Sequence, residues 1–524
     1  MYLAGTCFMK GKKYREGLEN ILKDYVSGSL DTESLAGSYF ILFGNEKLTE
    51  FYSDPAAIQN IFFHRRSGII SSSFIACMLG AYEVSGKLKI NKDACTEILT
   101  TGTLAGPDTL FCDIERYEPS FHDNLPGINR IITGHKIRMR PQRSTFDSEV
   151  NYQVEKLKEF IEGLKPAMDE MGVLTGLTGG FDSRLLFHLL RLTTQNISVY
   201  STYRKNPTEE YKCAEKLADF YNFKLVSPGY RLFSEMDRDE FRAMMVDNLL
   251  FNDGQVRLFN LWTEEIKSKS YLESLYGNRL IGMSGVGGEQ YRNGEYLTRD
   301  NYKFSDWFYA EMILKYCKDP FIHKEMRRKF LDFIRNKMFI SLKKEGNSEY
   351  ISRAEIKKYL GTVYNTSCRT LRNNIENQLF FFISPFTDYF ISMQALDCLP
   401  FLGNHHDFEK TMIQELAPES AFIRLDYGYR ISDNVPVRYR FLPAVKRITG
   451  IKNYYRMKSI IRPDDALSER IFKAHPFMKS YSDAVRELML PVSVDTILKS
   501  NHLSPLVLEL GLFVKHFENL ITVV

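Results

Sequence analysis

The residues best suited to do chemistry stand together in one stretch that reads Leu-Thr-Gly-Gly-Phe-Asp-Ser. Gly179 and Gly180 lack a Cβ, so the backbone can take positive φ angles and approach a ligand closely. Thr178 and Ser183 add hydroxyl donors. A carboxylate repels a phosphate unless a divalent cation lies between them, so Asp182 implies such a cation. Together these residues predict a phosphate-binding turn.

A strand and a helix are predicted on the two sides of this turn. Residues 171–176 are short and mostly apolar, and residues 184–190 carry the apolar spacing of a helix packed on a sheet. The first N–H groups of such a helix point at the turn, where the helix dipole favours negative charge. A plain connection with glycines is the alternative, but the ordered set of hydroxyls, glycines and acid favours phosphate binding. It is not a P-loop, because no Gly-x-x-x-x-Gly-Lys-Ser/Thr occurs.

A second glycine turn, residues 284–290, follows the fourth predicted strand of the same region. Open parallel sheets bind ligands outside the carboxyl ends of their strands, so we expect both turns to face one crevice. Asp182 and Glu289 would then lie near one polyphosphate, which suits Mg²⁺. Gly287 and Gly288 are predicted to contact that polyphosphate. A flexible turn is the alternative.

The first 148 residues are predicted to form a β-rich domain, because apolar alternation is bounded there by turn residues. A polar stretch, residues 141–149, leads into an amphipathic helix at 152–164, so we place a domain boundary between residues 148 and 149. The predicted strands are 38–43, 48–53, 60–64, 69–73 and 136–140, with a turn at 45–47.

Residues 149–524 are predicted to form an α/β domain. Alternating strand and helix patterns imply a parallel sheet, and the chain beyond residue 300 looks mainly helical, as a C-terminal extension. The predicted strands are 171–176, 197–203, 223–226 and 279–283. The predicted helices are 184–190, 208–221 and 240–267, the last interrupted at 252–254.

Composition excludes several classes of protein. Hydrophobic residues make up 44% and charged residues 26% of the 524, as in an ordinary soluble globular protein. The net charge of +4 is too small to argue for a nucleic acid or a membrane as partner. The eight cysteines are scattered without zinc spacing, so we expect reduced structural thiols. No secretory signal and no apolar run of membrane-spanning length is recognisable, so we expect a cytoplasmic protein.

The two turns resemble motifs of a known enzyme group. The first resembles the pyrophosphate loop of the ATP pyrophosphatases, usually written Ser-Gly-Gly-x-Asp-Ser. The second is similar to the Ser-Gly-x-Gly-x-Asp-Glu segment of the asparagine synthetase family, with Glu289 and Gln290 where Asp and Glu are usual. Residues 384–388 look like the family's Pro-Phe-Leu-Asp. Residues 35–40, 54–63 and 109–114 resemble, in order, segments of its glutaminase domain.

This resemblance implies an Ntn-hydrolase-like sandwich followed by an adenine-nucleotide α-hydrolase-like domain. It also implies an ATP-dependent, amide-forming ligase that uses ATP and Mg²⁺. A carboxylate, on a small molecule or a peptide, would become an acyl-adenylate with release of pyrophosphate, and ammonia or a substrate amine would capture the acyl group. Asp182 would be catalytic as well as a metal ligand.

The chain departs from the family at two chemically important places. The family's glutaminase uses a cysteine at the mature N-terminus, where this chain has Tyr2, so we expect no glutamine hydrolysis. Cys7 would serve only after removal of six residues. The family's lysine after a Leu-Pro segment is best matched by Lys452, our candidate catalytic lysine, with Arg424 and Arg430 as weaker candidates.

Two other functions are consistent with parts of the sequence. A nucleotide-binding homologue that has lost catalysis, acting as a scaffold or partner protein, is favoured by Tyr2, Glu289 and Gln290 and opposed by the intact first turn. A tRNA-modifying ATP pyrophosphatase would leave the N-terminal third unexplained. His405 and His406 suggest no metal site, because a third ligand is missing. The acyl and amine substrates and the oligomeric state are not readable from the residues.

Overall fold

A computed structural model of the protein describes residues 1–44, 49–133, 145–202, 208–229, 231–256, 264–277, 280–293, 295, 297–316, 322–345, 348–403, 406–460 and 467–523. The side chains of residues 265, 438, 440, 459 and 460 are excepted. The predicted turn at 45–47, the predicted strand at 136–140 and His405 lie outside these residues.

A fully parallel five-stranded sheet forms the centre of the molecule. Its strand order is Leu225–Val226, Ile197–Tyr200, Val173–Gly176, Ile281–Met283, Phe381–Ile383. Within this sheet, Val173–Gly176 comes first along the chain and lies in the middle. The next two strands lie on one side of it, whereas Ile281–Met283 and Phe381–Ile383 lie on the other. The switch point of the sheet is therefore between Val173–Gly176 and Ile281–Met283. The prediction of a parallel sheet is confirmed. The fifth strand was not predicted.

Helices connect these strands and form most of the remaining chain. Phe181–Thr193 follows the middle strand and packs on Phe146–Gly163 and Asp407–Leu416. The predicted helix at 208–221 is found at Glu209–Phe220, and the one at 240–267 is divided into Arg238–Phe251 and Glu265–Tyr276. None of the described helices combines the length and the apolarity that crossing a membrane requires.

The other α-helices are Tyr14–Ser27, Phe74–Ser85, Lys92–Thr101, Lys165–Met171, Phe304–Phe308, Lys324–Ser341, Arg353–Lys358, Leu371–Glu376, Tyr389–Gln394, Val437–Thr449, Ile451–Ile460, Leu467–Ala474, Lys479–Glu487, Val494–Leu498 and Ser504–His516. Two segments are π-helical, Tyr309–Leu314 and Tyr359–Arg369. Short 3-10 turns are Thr32–Ser34, Phe233–Glu235, Gly288–Tyr291, Pro385–Thr387, Ala395–Cys398, Pro418–Ser420, Pro476–Met478 and Glu518–Leu520.

The N-terminal region contains two further sheets, but the three helices of its described part include about as many residues as its strands, so its β-rich character stays a prediction. One has the order Tyr2–Gly5, Tyr39–Gly44, Thr49–Ser53, Arg130–Ile132, and the other Ile69–Ser71, Phe62–His64, Ile114–Arg116. The Ntn-hydrolase-like sandwich stays a prediction. Three strand pairs complete the structure: Phe8–Met9 with Leu35–Ala36, Asn301–Lys303 with Tyr350–Ser352, and Ile521–Thr522 with Leu88–Lys89.

The N-terminal region and the C-terminal helices share one hydrophobic core. Phe513, on a helix that is buried along most of its length, lies 6.1 Å from Phe74 and 5.9 Å from Phe111, measured between ring centroids. Tyr481 on a neighbouring helix belongs to the same core. The boundary at residues 148 and 149 falls inside the first turn of the helix Phe146–Gly163 and stays a prediction.

A buried carboxylate fastens the N-terminal sheet to the loop that follows it. Asp54 accepts hydrogen bonds from the backbone N–H groups of Ile58 at 2.9 Å, Gln59 at 3.2 Å and Tyr39 at 3.3 Å. Burial raises the pKa of the Asp54 carboxyl to about 7, although these three donors oppose the change. The folded chain therefore binds a proton at Asp54 more tightly than the unfolded chain does.

We predict that Asp54→Asn removes part of the pH dependence of folding. The stabilisation from the protonated carboxyl is complete below its unfolded pKa, near 4, and is lost as the pH rises through 7. From pH 5 to pH 8, the free energy of unfolding in urea should fall by about 2 kcal/mol more in the wild type than in the variant. The exposed Asp219→Asn is the control, and equal pH profiles for wild type and Asp54→Asn would contradict the prediction.

Candidate functional site

A cavity of about 570 Å³ opens at the carboxyl ends of the parallel strands. The cavity is lined by the ends of three strands and the residues that follow them, namely 176–178, 200–202 and 283–286. Pro228 and Phe382 also line it. It includes the switch point between the first and fourth strands. This is the position at which open α/β sheets bind their ligands.

The first glycine turn is closed by its own hydroxyl groups. The Oγ1 atom of Thr178 lies 2.7 Å from the Oγ atom of Ser183, which also accepts a hydrogen bond from the Thr178 N–H at 3.1 Å. The helix Phe181–Thr193 follows, with Gly180 as its N-cap residue, and no side chain caps its first turn. The N–H groups that begin a helix have no partners within it, so this uncapped end suits an anion.

Neither glycine of this turn uses the positive φ angles that glycine allows. Gly180 has a φ of −81°, and Gly179 is not among the residues with positive φ. What Gly179 provides is room: a Cβ there would lie 2.8 Å from the Cβ of Asp426 and 3.1 Å from that of Cys213. The turn therefore needs a small residue for close packing rather than for a left-handed backbone.

The second glycine turn packs directly on the first, so the structure brings the two turns together. A Cβ on Gly285 would lie 2.7 Å from the carbonyl carbon of Asp182, and one on Gly288 would lie 2.6 Å from the Oδ1 atom of Asp182. Gly287 has a φ of +97° and packs on residues 386–387. Gly287 and Gly288 do not themselves line the cavity; they support the residues that do.

We predict that Gly285→Ala disrupts ligand binding at this site. The added methyl group would meet backbone atoms, which cannot move without separating the two turns, so we expect nucleotide affinity to fall at least tenfold. Gly229→Ala is the matched control, because nothing lies within 4 Å of a Cβ there. Isothermal titration with ATP measures both. Unchanged affinity in a folded Gly285→Ala protein would contradict the prediction.

Asp182 is held by a buried arginine that also holds a second acid. The Nη2 atom of Arg292 lies 2.8 Å from the Oδ2 atom of Asp182, and its Nη1 atom lies 3.3 Å from the Oε2 atom of Glu409. Burial, followed by the charge of Asp182, raises the pKa of Glu409, whereas Arg292 opposes this change. One cation therefore serves two carboxylates in a dry environment.

We predict that Arg292→Met destabilises the protein by about 3–5 kcal/mol, because it leaves Glu409 buried without its cation. The double variant Arg292→Met, Glu409→Gln should recover at least half of this loss, since it removes the stranded charge as well. Urea denaturation of both variants is the measurement. Equal stability of the single and double variants would show that the pair does not act as a unit.

Three cationic side chains line the cavity beyond the two turns, namely Lys269, Arg369 and Arg372. The buried Nζ atom of Lys269 lies 2.7 Å from the Oε1 atom of Glu376 and donates to the hydroxyl of Tyr200 at 3.2 Å. Burial opposes its charge, but Glu376 and then Tyr200 raise the pKa of Lys269 overall, so it stays charged at neutral pH. This wall can bind the negative charge of a ligand.

The two carboxylates that were predicted to hold Mg²⁺ differ in their surroundings. Asp182 lines the cavity, and its buried Oδ1 atom accepts no hydrogen bond from the described residues, so a cation would satisfy it. The Glu289 carboxylate contacts the guanidinium group of Arg369. Among the described residues no three His, Cys, Asp or Glu side chains are grouped to hold a metal. A cation bound here would depend on phosphate oxygens for further ligands.

The structure does not bring Lys452 to the cavity. Its Nζ atom lies 2.8 Å from the Oδ1 atom of Asp306 and 5.7 Å from the ring centroid of Tyr309. Its catalytic role stays a prediction that this geometry does not favour. The weaker candidates Arg424 and Arg430 pair with each other in a β-bridge and do not line the cavity.

The segment that contains Arg424 instead closes over the first turn. The buried Arg184 donates to the carbonyl oxygens of Ile423 at 3.0 Å and Arg424 at 3.1 Å. The Asp426 N–H donates to the Gly179 carbonyl oxygen at 3.1 Å. The carboxylate of Asp426 therefore lies beside the first turn. The resemblance implied a lysine near the reacting groups instead, for which Lys452 was the candidate.

The N-terminal residues provide no accessible thiol. Tyr2 is exposed, and Cys7 is completely buried, which raises the pKa of its thiol. The strand Tyr2–Gly5 pairs with Tyr39–Gly44, so removal of residues 1–6 would take away an edge of the sheet. This arrangement is that of a structural cysteine.

Several residues of the site were missed from the sequence. Lys269 stands in a Lys- and Ser-rich stretch that reads as a solvated helix face, and no local signal marks it. Arg292 lies three residues after Glu289, so its closeness to the second turn was the only available signal. Glu409 carried none, because its partners lie more than 100 residues away.

No family model matches this chain, and no curated protein matches it. Among solved structures, one similar chain is the glutamine-dependent NAD⁺ synthetase from Acinetobacter baumannii, in complex with ADP. It is 11% identical, with a TM-score of 0.18, over 48% of this chain and 51% of that one. Another is the U34-tRNA thiolase NcsA from Methanococcus maripaludis with its [4Fe-4S] cluster. It is 10% identical, with a TM-score of 0.21, over 62% of this chain and 81% of that one.

This chain therefore corresponds to about half the length of the NAD⁺ synthetase chain that it matches. Likenesses of this size assign neither a family nor a reaction to the protein.

Proposed function

We propose that this protein is an ATP-dependent, amide-forming ligase of the asparagine synthetase type. The observation that carries the proposal is the uncapped helix start behind residues 178–183, which opens onto a cavity at the switch point of a parallel sheet. The second observation is Asp182, which lines this cavity and whose buried Oδ1 atom accepts no hydrogen bond from the described residues.

The turn would hold the phosphates of ATP. Backbone N–H groups at a helix start bind negative charge without the cost of dehydrating an ammonium group. A substrate carboxylate would attack the α-phosphorus, forming an acyl-adenylate while the bond to the pyrophosphate breaks. The turn would keep the pyrophosphate in place as its charge develops. An amine would then attack the acyl carbon, yielding the amide, AMP and a proton.

Asp182 and Glu289 would hold Mg²⁺, which neutralises charge on the phosphates when bound. Release of Glu289 from Arg369 would be needed for both to act together. Arg292 fixes the other side of Asp182, so that its free oxygen keeps one direction. The wall with Lys269 and Arg372 would balance the charge of the substrate carboxylate or of the phosphates.

The nitrogen would come from ammonia or from an amine of the substrate. The exposed Tyr2 and the buried Cys7 support a glutaminase-like domain that no longer hydrolyses glutamine. Intermolecular and intramolecular amide formation both fit this arrangement. The proposed location is the cytoplasm, and small-molecule or peptide carboxylates are the proposed substrates.

One set of observations favours a second candidate, a nucleotide-binding protein that has lost catalysis. Lys452 pairs with Asp306 away from the cavity, and Asp426 places a carboxylate beside Gly179. A negative group there would oppose the charge of a reacting phosphate. ATP binding is common to both candidates, whereas pyrophosphate release belongs to the first.

We predict that the wild type releases pyrophosphate from ATP and Mg²⁺ in the presence of a suitable carboxylate, and that Asp182→Asn lowers the rate at least about a hundredfold. A coupled pyrophosphate assay over a panel of amino acids and peptides is the measurement. The exposed Asp219→Asn is the matched control and should retain the wild-type rate. Tight ATP binding without pyrophosphate from any carboxylate would favour the second candidate. Absence of ATP binding by the wild type would overturn both.

A further inference from the structure

The helix Val437–Thr449 exposes an apolar row along its whole length. Val437, Phe441, Val445 and Ile448 have exposed fractions of 63%, 61%, 37% and 84%. At 100° per residue these four positions fall within an arc of about 80°, and they span about 17 Å along the helix axis. Scattered apolar residues are normal on a protein surface, but a continuous row on one helix face is not.

A buried ion pair helps to hold the opposite side of this helix against the protein. Lys446, on the side of the helix away from the row, is buried and contacts the Glu311 carboxylate and the Glu295 carbonyl oxygen. The Glu311 carboxylate also accepts a hydrogen bond from the Tyr455 hydroxyl at 2.8 Å. Leu442 on the same side packs against the hydrophobic core, so this side of the helix is held inward and the opposite, apolar row lies in solvent.

The same segment concentrates the positive charge of the protein. Residues 434–463 contain eight Lys and Arg residues and no Asp or Glu, whereas the remaining 494 residues carry a net charge of −4. Arg447, Arg456 and Lys458 are exposed on this helix and on Ile451–Ile460, which follows it. The exposed apolar row is therefore accompanied by exposed cations.

We propose that the apolar row of Val437, Phe441, Val445 and Ile448, with the exposed cations of the same helix and of the one that follows it, binds the surface of an anionic phospholipid bilayer. An apolar row can enter the boundary between headgroups and acyl chains while neighbouring cations pair with lipid phosphates. The charge complementarity is local and independent of the small net charge of the whole chain. Binding in the plane of the interface requires no membrane-spanning helix.

The chemistry of the surface favours lipid over other occupants. A nucleic acid would use the cations and leave the apolar row in water. A second copy of this chain would bring its own Arg447, Arg456 and Lys458 towards those of the first, and these like charges repel each other. An anionic bilayer satisfies both parts of the surface at once.

The test is co-sedimentation of the full chain with vesicles of phosphatidylcholine, alone or mixed in equal parts with phosphatidylglycerol. We expect binding to the anionic vesicles only, weakened when NaCl is raised from about 0.05 M to about 0.5 M. The double variant Phe441→Ser, Ile448→Ser should partition at least about tenfold more weakly. Val26→Ser, Val84→Ser, which removes two exposed apolar residues on other helices, is the matched control and should bind as the wild type does.

Three results would overturn the proposal. The first is failure of the wild type to bind anionic vesicles, and the second is equal binding by the Phe441→Ser, Ile448→Ser variant when near-UV circular dichroism shows it folded. The third combines two observations: the wild type is a dimer in light scattering but does not bind vesicles, and the same variant is a monomer. The apolar row would then join two copies of the chain. Weaker binding of the double variant Arg447→Gln, Arg456→Gln to the anionic vesicles would support the proposal.

Discussion

The close approach of two glycine turns over one aspartate is the constraint on which the site depends. The strands Val173–Gly176 and Ile281–Met283 are neighbours, so their turns emerge side by side. Only the absence of side chains at Gly285 and Gly288 lets the second turn contact the backbone and carboxylate of Asp182. With Gly288 on one side and an arginine on the other, this carboxylate has little freedom to rotate, so its orientation is determined before any ligand binds.

The distribution of charge around the cavity follows from that geometry. Asp182, Glu210 and Glu289 line the cavity, and Asp426 lies beside the first turn, so a polyphosphate bound there would meet several carboxylates. Backbone dipoles alone are a weak answer to so many carboxylates. The cationic wall supplies the opposite sign, and a bound divalent cation would supply more. Arg369 contacts Glu289 and Lys269 contacts Glu376, so acidic and basic side chains are paired within the cavity wall before a ligand binds.

Features with a local cause were predictable from the sequence, and features that depend on distant partners were not. The alternation of apolar residues and the glycine spacing gave the parallel sheet and both turns. The packing of Gly179 on residues 213 and 426 was not predictable, because these residues are distant from it in the chain. Lys269 looked like a surface residue because its partner Glu376 is more than 100 residues distant. An average over 524 residues likewise concealed the basic segment near the C-terminal end.

The shared core has a consequence for the order in which the chain acquires its structure. Phe74 and Phe111 pack on Phe513, and Leu88–Lys89 pairs with Ile521–Thr522. The ribosome makes the first members of these contacts some 400 residues before the second. The apolar side chains on the N-terminal side of this core therefore stay exposed until residues 504–522 have emerged. Such a nascent chain is a natural client for chaperones, and stalled or shortened translation products should aggregate rather than fold.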